Sequence, residues 1–236
     1  MYKRFFVFGC SFTMYKWPTW ADYMYAGGIA TEYQNWALPG GSNDFIFHSF
    51  MECDIANKIN KDDYVAIMWS QQHRLSNYSH QDGWELLGNA YLHQPKDRMM
   101  YYSPDKTEIE LESYSHSIQE ILSKRRIHNI MMSIEPLGMH TSMAEYLGYE
   151  SSHDNWKETL PGDHHPSPRE HADFIKDQHI SLLLDTARID KLCKASEEYI
   201  WNSSHPHRQI ITVFPEKYPQ RKGKDNVGRV QPFNWE

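Results

Sequence analysis

The aromatic and valine-rich run from Tyr2 to Phe8 stops at Gly9 and turns at once through Cys10 and Ser11. Such a run suits a buried strand with a sharp bend at its end. Thr19 then offers an N-cap with Asp22 three residues on, which predicts a short helix through Tyr23 that stops near Gly27-Gly28. The rhythm returns with a strand from Tyr33 to Leu38, the turn Pro39-Gly40-Gly41, and a helix capped by Ser42 that runs through Phe45, Ile46, Phe50 and Met51. A third strand follows from Tyr64 to Trp69. Strands alternating with helices imply a parallel sheet covered on both faces.

Turn formers and weak periodicity from about Ser76 to Glu112 suggest an insertion, with Trp84 to Leu92 as a short helix. Tyr114, Ile118, Ile121 and Leu122 then share one helical face, and Asn129 to Ile134 reads as a strand. Ser167, Pro168 and Glu170 form a capping box with proline at the first helical position, and Ile175, His179, Leu182 and Leu183 are expected on one face of that helix. A last helix from Ile189 to Trp201 and a strand-like run from Ile210 to Phe214 precede a tail containing proline, glycine and lysine.

A length of 236 residues allows one sizeable core. The net charge of -7, with both signs interspersed, argues against a nucleic-acid partner, which calls for clustered positive charge. No stretch approaches the roughly 20 apolar residues that span a bilayer, and the opening run lacks the features of a signal peptide. The expectation is a cytoplasmic protein without a membrane partner, a virion-associated place staying open. Cys10, Cys53 and Cys193 are too few and scattered for a disulfide framework. The 14 histidines raise metal binding, but neither a Cys-x-x-Cys pair nor His-Glu-x-x-His occurs, and no metal or cofactor is expected.

Ser11 at a strand exit and the distant Asp163-His164-His165-Pro166, just ahead of the capped helix, are the residue types that ester hydrolysis needs. A hydroxyl at the C-terminal end of a parallel strand projects into the crevice where such sheets bind ligands. A residue on the loop before a helix N-terminus is fixed yet exposed. Two alternatives are a plain strand-to-helix turn at Gly9-Cys10-Ser11 and a metal cluster of Asp163, His164, His165 and His171. Cys10 is a second thinkable nucleophile, but its apolar setting favours an inert, packed thiol.

Gly9-Cys10-Ser11-Phe12-Thr13 resembles the first block of the SGNH (GDSL-like) hydrolases, with Cys10 where the family has aspartate. Asn35 and Gly40 match the spacing of the second block, Trp69-Ser70-Gln71 stands where the third has Gly-x-Asn, and Asp163-His164-His165 resembles the fifth. The resemblance covers about Met1 to Leu184 and implies a three-layer α/β/α domain of flavodoxin-like type; beyond it, the apolar run and the terminal Phe233 and Trp235 of the extension Asp185 to Glu236 predict packing on that domain or on a second subunit of a homodimer. It implies Ser11 as nucleophile, His165 as base and then acid, and Asp163 orienting the imidazole, with His164 pointing elsewhere. The backbone N–H groups of Ser11 and Gly40, helped by the Gln71 amide, would form the oxyanion hole.

The resemblance thus implies a serine esterase acting on a small-molecule or carbohydrate ester, an O-acetyl group on a sugar among them. Asn35, Trp69, Ser70, Arg74 and Glu135 are candidates to line the substrate pocket. Arg74 suits either a surface ion pair or a clamp on a substrate carboxylate. Trp17, Trp20, Trp36 and Trp69 read as core or crevice wall. Two rivals share the same scaffold: a non-catalytic binding or assembly module, suggested by Gln71 in place of the third-block asparagine, and an O-acyltransferase.

Overall fold

The computed structural model of the protein describes residues 1–15, 17–79, 83–89, 102–136, 140–148 and 165–201. Its centre is a five-stranded, wholly parallel sheet of β1 (Tyr2–Phe8), β2 (Ala30–Asn35), β3 (Tyr64–Trp69), β6 (His128–Ser133) and the two-residue β7 (Thr141–Ser142). Strand order is β2-β1-β3-β6-β7. The chain leaves β1 towards β2 on one side and later adds β3 on the other, so the order reverses between β1 and β3, where doubly wound sheets bind ligands.

Side chains alternate along the buried strands and so feed two cores. Phe5 and Val7 with Tyr64, Ala66 and Met68 pack against α1 (Trp20–Ala26), α5 (Pro168–Lys176) and α6 (Thr186–Trp201). Phe6 and Phe8 with Val65, Ile67 and Trp69 pack against α2 (Asn43–Asn57) and α3 (Pro104–Lys124). Helices thus cover both faces of the sheet. Among the described residues no helix is long and apolar enough to cross a membrane.

Local signals place most helix starts. Asp22 accepts the Thr19 N–H at 2.8 Å at the head of α1, and Ser42 accepts from Phe45 N at 3.2 Å at the head of α2. The predicted capping box of α5 is present in both directions, Ser167 N to Glu170 Oε2 at 2.7 Å and Glu170 N to Ser167 Oγ at 3.3 Å. A short helix α4 (Met143–Tyr146) follows β7.

Four expectations need correction. The second strand lies at Ala30–Asn35, three residues earlier than its predicted end, because Ala37 N folds back onto Asn35 Oδ1 at 3.0 Å and ends the ladder there. The expected insertion is shorter than read, since α3 already begins at Pro104 with Ser103 as its cap. Gly83–Asn89 is no helix but strand β5, paired antiparallel with β4 (Arg74–Ser79); residues 90–92 of that expectation lie outside the described residues. The helix after Ser167 stops at Lys176 and gives way to a 3₁₀ turn, His179–Leu183, which leaves Leu182 at 87% and Leu183 at 59% exposure instead of on a core face.

At the N-terminal edge of the sheet the fold is pinned electrostatically. Asp63 is fully buried and takes a two-pronged contact from Arg4, Nε to Oδ1 at 2.8 Å and Nη2 to Oδ2 at 2.6 Å. Beyond residue 184, Ile189, Leu192 and Cys193 of α6 join the same core as Phe5 and Val7. The Ile210 to Phe214 run lies outside the described residues.

Candidate active site

The turn carrying Ser11 grows directly out of β1. Thr13 N and Met14 N both donate to Cys10 O at 3.0 Å, closing one tight turn that leaves the Ser11 N–H outside its own hydrogen bonds. Only glycine fits at position 9, because a Cβ there would sit 2.0 Å from Thr13 Oγ1 and 2.7 Å from Thr13 Cβ. The missing side chain lets the turn fold flat against the strand end.

The loop after β2 is strapped alongside. Leu38 N donates to Gly9 O at 3.2 Å, and Asn35 Nδ2 donates to Thr13 O at 2.9 Å. Leu38, Pro39, Gly40 and Gly41 then make a turn closed by Gly41 N to Leu38 O at 2.9 Å. Its third residue, Gly40, has φ +85°, as a Pro-Gly turn of this type requires. The Gly40 N–H takes no part in closing that turn.

His165 arrives from the far end of the described chain. Its Nε2 lies 2.8 Å from Ser11 Oγ, across 154 residues of sequence. Three contacts hold it there. The ring stacks on Tyr15 with centroids 3.8 Å apart and planes at 20°, and Phe12 approaches at 5.4 Å. The neighbouring Pro166 carbonyl accepts the indole N–H of buried Trp17 at 2.9 Å. A hydroxyl bonded to an imidazole nitrogen can pass its proton to that nitrogen as it attacks a carbonyl.

The predicted site residues fall into groups. Ser11 and His165 meet, and Gly40 lies on the loop bound to their turn. Asp163 and His164 lie outside the described residues. Gln71 does not present a free amide: its Oε1 accepts from Arg74 Nε at 3.3 Å, and its side chain bonds the Glu135 carboxyl. Burial raises the Glu135 carboxyl above its usual range, partly offset by hydrogen bonds from Gln72 N–H and Gln71 and by the charge of Arg74. Arg74 also lines a cavity of about 250 Å³ with Ser42, Asn43 and Lys106.

Three pocket candidates turn inward. Trp69 is fully buried in the α2/α3 layer, so it offers no platform to a ligand. Asn35, 2% exposed, spends its amide on Thr13 O, Tyr33 Oη and Ala37 N, and it braces the Ser11 turn from behind. Ser70 is also buried, its N–H taken by Asn43 Oδ1 at 2.7 Å and its carbonyl by Asn43 Nδ2 at 3.1 Å. Asn43, which ties the head of α2 to the exit of β3, was missed by motif spacing; a polar residue just inside a capped helix was the available signal. Tyr15 was missed too, since no local pattern marks an aromatic that meets its partner 150 positions away.

The C-terminal edge of the sheet also collects polar atoms without partners. Thr13 Oγ1, Ser70 Oγ and Ser133 Oγ are buried there and unbonded. Buried hydroxyls normally find a partner, and an accumulation of exceptions marks a place where the fold serves something besides itself. His171, in the first turns of α5, is fully buried with neither ring nitrogen bonded, and burial, with a smaller contribution from His165, pushes its pKa down to about 3. Among the described residues no group of three or more histidine, cysteine or acidic side chains is arranged to hold a metal. No family model and no curated protein matches this sequence.

Proposed function

We propose that the protein is a serine hydrolase of the SGNH type acting on a carboxylic ester. One observation carries the reading: Ser11 Oγ and His165 Nε2 stand 2.8 Å apart at the C-terminal end of β1, beside the point where strand order reverses. In this reading Ser11 attacks the ester carbonyl while His165 takes its proton. His165 then returns the proton to the leaving alcohol, and an activated water repeats the cycle on the acyl-enzyme. Asp163 is assigned the imidazole's other nitrogen. The Ser11 and Gly40 N–H groups are assigned the oxyanion.

The Gln71 amide drops out of that assignment, because Arg74 and Glu135 already occupy it. This favours a second reading, a binding module on the same scaffold. Hydrolysis of p-nitrophenyl acetate by wild type and Ser11→Ala decides between them. A loss of about 10³-fold or more in kcat/KM on removing the hydroxyl supports the hydrolase, whereas equal turnover by the two proteins rejects it. An acyl acceptor added to the same assay reports transfer as a new ester product.

A further inference from the structure

The Thr13 carbonyl belongs to the turn that carries Ser11, and two side chains from different elements converge on it. Thr19 Oγ1 donates at 2.8 Å and Asn35 Nδ2 at 2.9 Å. Behind both stands Asp22, buried on α1. Its Oδ2 accepts the Thr19 N–H at 2.8 Å and lies 3.2 Å from Thr19 Oγ1, while its Oδ1 accepts from Tyr33 Oη at 3.4 Å. Tyr33 Oη in turn accepts from Asn35 Nδ2 at 3.1 Å. The four side chains and the carbonyl close a ring.

Counting hydrogens around the ring exposes a conflict. The two amide hydrogens of Asn35 serve Thr13 O and Tyr33 Oη, and the single tyrosine hydrogen serves Asp22. Thr19 has one hydroxyl hydrogen and two acceptors within reach, Thr13 O and Asp22 Oδ2. When Asp22 is ionised, its carboxylate competes for that hydrogen. When Asp22 carries a proton on Oδ2, it donates to Thr19 Oγ1, and the threonine hydrogen is free to hold Thr13 O.

We propose that Asp22 is a proton-linked positioning residue, whose protonated carboxyl commits the Thr19 hydroxyl to the Thr13 carbonyl and so fixes the turn bearing Ser11. The effect on turnover rests on the reading of Ser11 as nucleophile; the coupling within the ring does not. Burial, opposed by the hydrogen bonds from Thr19 and Tyr33, raises the Asp22 pKa to about 6, so the carboxyl changes state near neutrality. Tyr23, His171 and Cys193 around it stay neutral there. Tyr23 of α1 is raised well above its usual range by burial, and Tyr33 of β2 donates a hydrogen bond to Asp22. From the helices packed on α1, His171 is pushed down to about 3 by burial and Cys193 up to about 11 by burial.

The test reads the ring directly. The amide ¹⁵N shift of Met14, whose peptide group contains the Thr13 carbonyl, is followed against pH beside the ¹³C shift of the Asp22 carboxyl. One shared midpoint near 6 is expected in wild type. In Asp22→Asn, which has no carboxyl to titrate, the Met14 transition should vanish, whereas Thr19→Ser, which keeps the hydroxyl, should retain it. Different midpoints in wild type, or a Met14 transition that survives Asp22→Asn, overturn the proposal, and the wild-type comparison decides even if a variant fails to fold. Ester hydrolysis is the second readout: kcat of wild type relative to Asp22→Asn should fall about threefold as pH rises through the Asp22 midpoint, with KM unchanged, because the dependence that both proteins owe to the base cancels in the ratio. A purely structural role would lower the yield of folded protein and leave the shape of the profile alone. If wild type hydrolyses no ester, the reading of Ser11 fails while the two NMR midpoints still judge the ring.

Discussion

The imidazole of His165 lies flat on the ring of Tyr15, 3.8 Å between centroids, with Ser11 Oγ at its edge. Stacking fixes the plane of the imidazole without engaging its edge, where Nε2 meets Ser11 Oγ, an arrangement that suits the base of the proposed hydrolase. Tyr15→Ala should therefore lower kcat/KM for an activated ester by about 10- to 100-fold through misplacement of the base. Tyr15→Phe keeps the ring and should stay within about threefold of wild type. Equal losses in the two variants would mean that the hydroxyl, not the ring, matters.

Two buried groups oppose one another in the dependence of stability on pH. His171 has a folded pKa near 3 against 6.5 for the free side chain, so the unfolded chain binds the extra proton, and the stability present above pH 6.5 is lost as pH falls. Asp22 has a folded pKa near 6 against 3.8, so its contribution is present below pH 3.8 and is lost as pH rises through 6. Between about pH 4 and 6 the two slopes oppose, each about 1.4 kcal/mol per pH unit at most. Relative to wild type, Asp22→Asn should gain stability as pH rises across this window, and His171→Leu should lose it. Urea midpoints measured along the window report both, and variants that run parallel to wild type would contradict the assignment.

Gly9→Ala should destabilise the fold by about 1–3 kcal/mol, because its new methyl would sit 2.7 Å from Thr13 Cβ and 3.2 Å from the Met68 carbonyl and so force a shift. Gly40→Ala, at φ +85°, should cost about 1–2 kcal/mol through backbone strain. Of the two, Gly9→Ala should also impair labelling of Ser11 by a fluorophosphonate more severely, since it displaces the turn itself. Urea unfolding and labelling rates measure the pair; a neutral Gly9→Ala would show that the turn tolerates opening.

Arg4→Met strips both guanidinium contacts from the buried Asp63 carboxyl, which keeps the Asn60 N–H at 2.9 Å, at a cost of about 3–5 kcal/mol. Arg4→Met combined with Asp63→Leu should recover most of that loss, because the buried carboxyl is then gone. Thermal unfolding of the two proteins gives the answer. No recovery in the double variant would place the loss in Arg4's other contacts, the Asn57 carbonyl at 3.1 Å and the Phe6 ring at 5.0 Å.

What the sequence disclosed follows the range of the forces involved. The caps at Thr19, Ser42 and Ser167 act within three residues, and all three mark true helix starts. Gly83–Asn89 was misread because its strand character comes from pairing with Arg74–Ser79, and neither partner shows strong alternation alone. Leu182 and Leu183 continued a helical period past Asp177, where the helix had already ended. At the site, Ser11 and His165 were legible because each sits at a marked boundary, strand exit or helix entry. The bracing of that pair by Tyr15, Trp17, Asn35 and Asp22 was not, because each acts through a contact whose partner the local pattern does not specify. Asn35 was seen at the right spacing, but only the fold shows that its amide faces the backbone of the Ser11 turn.

The parallel sheet gives the molecule two unlike ends. Arg4–Asp63 and the Tyr2–Tyr64 contact lock the end where strands begin, whereas unbonded hydroxyls and turns that admit only glycine crowd the end where they finish. Changes that retune recognition at the second end therefore need not disturb the lock at the first. Side chains at the second end can thus change without touching the Arg4–Asp63 pair, provided the glycines that shape its turns stay in place.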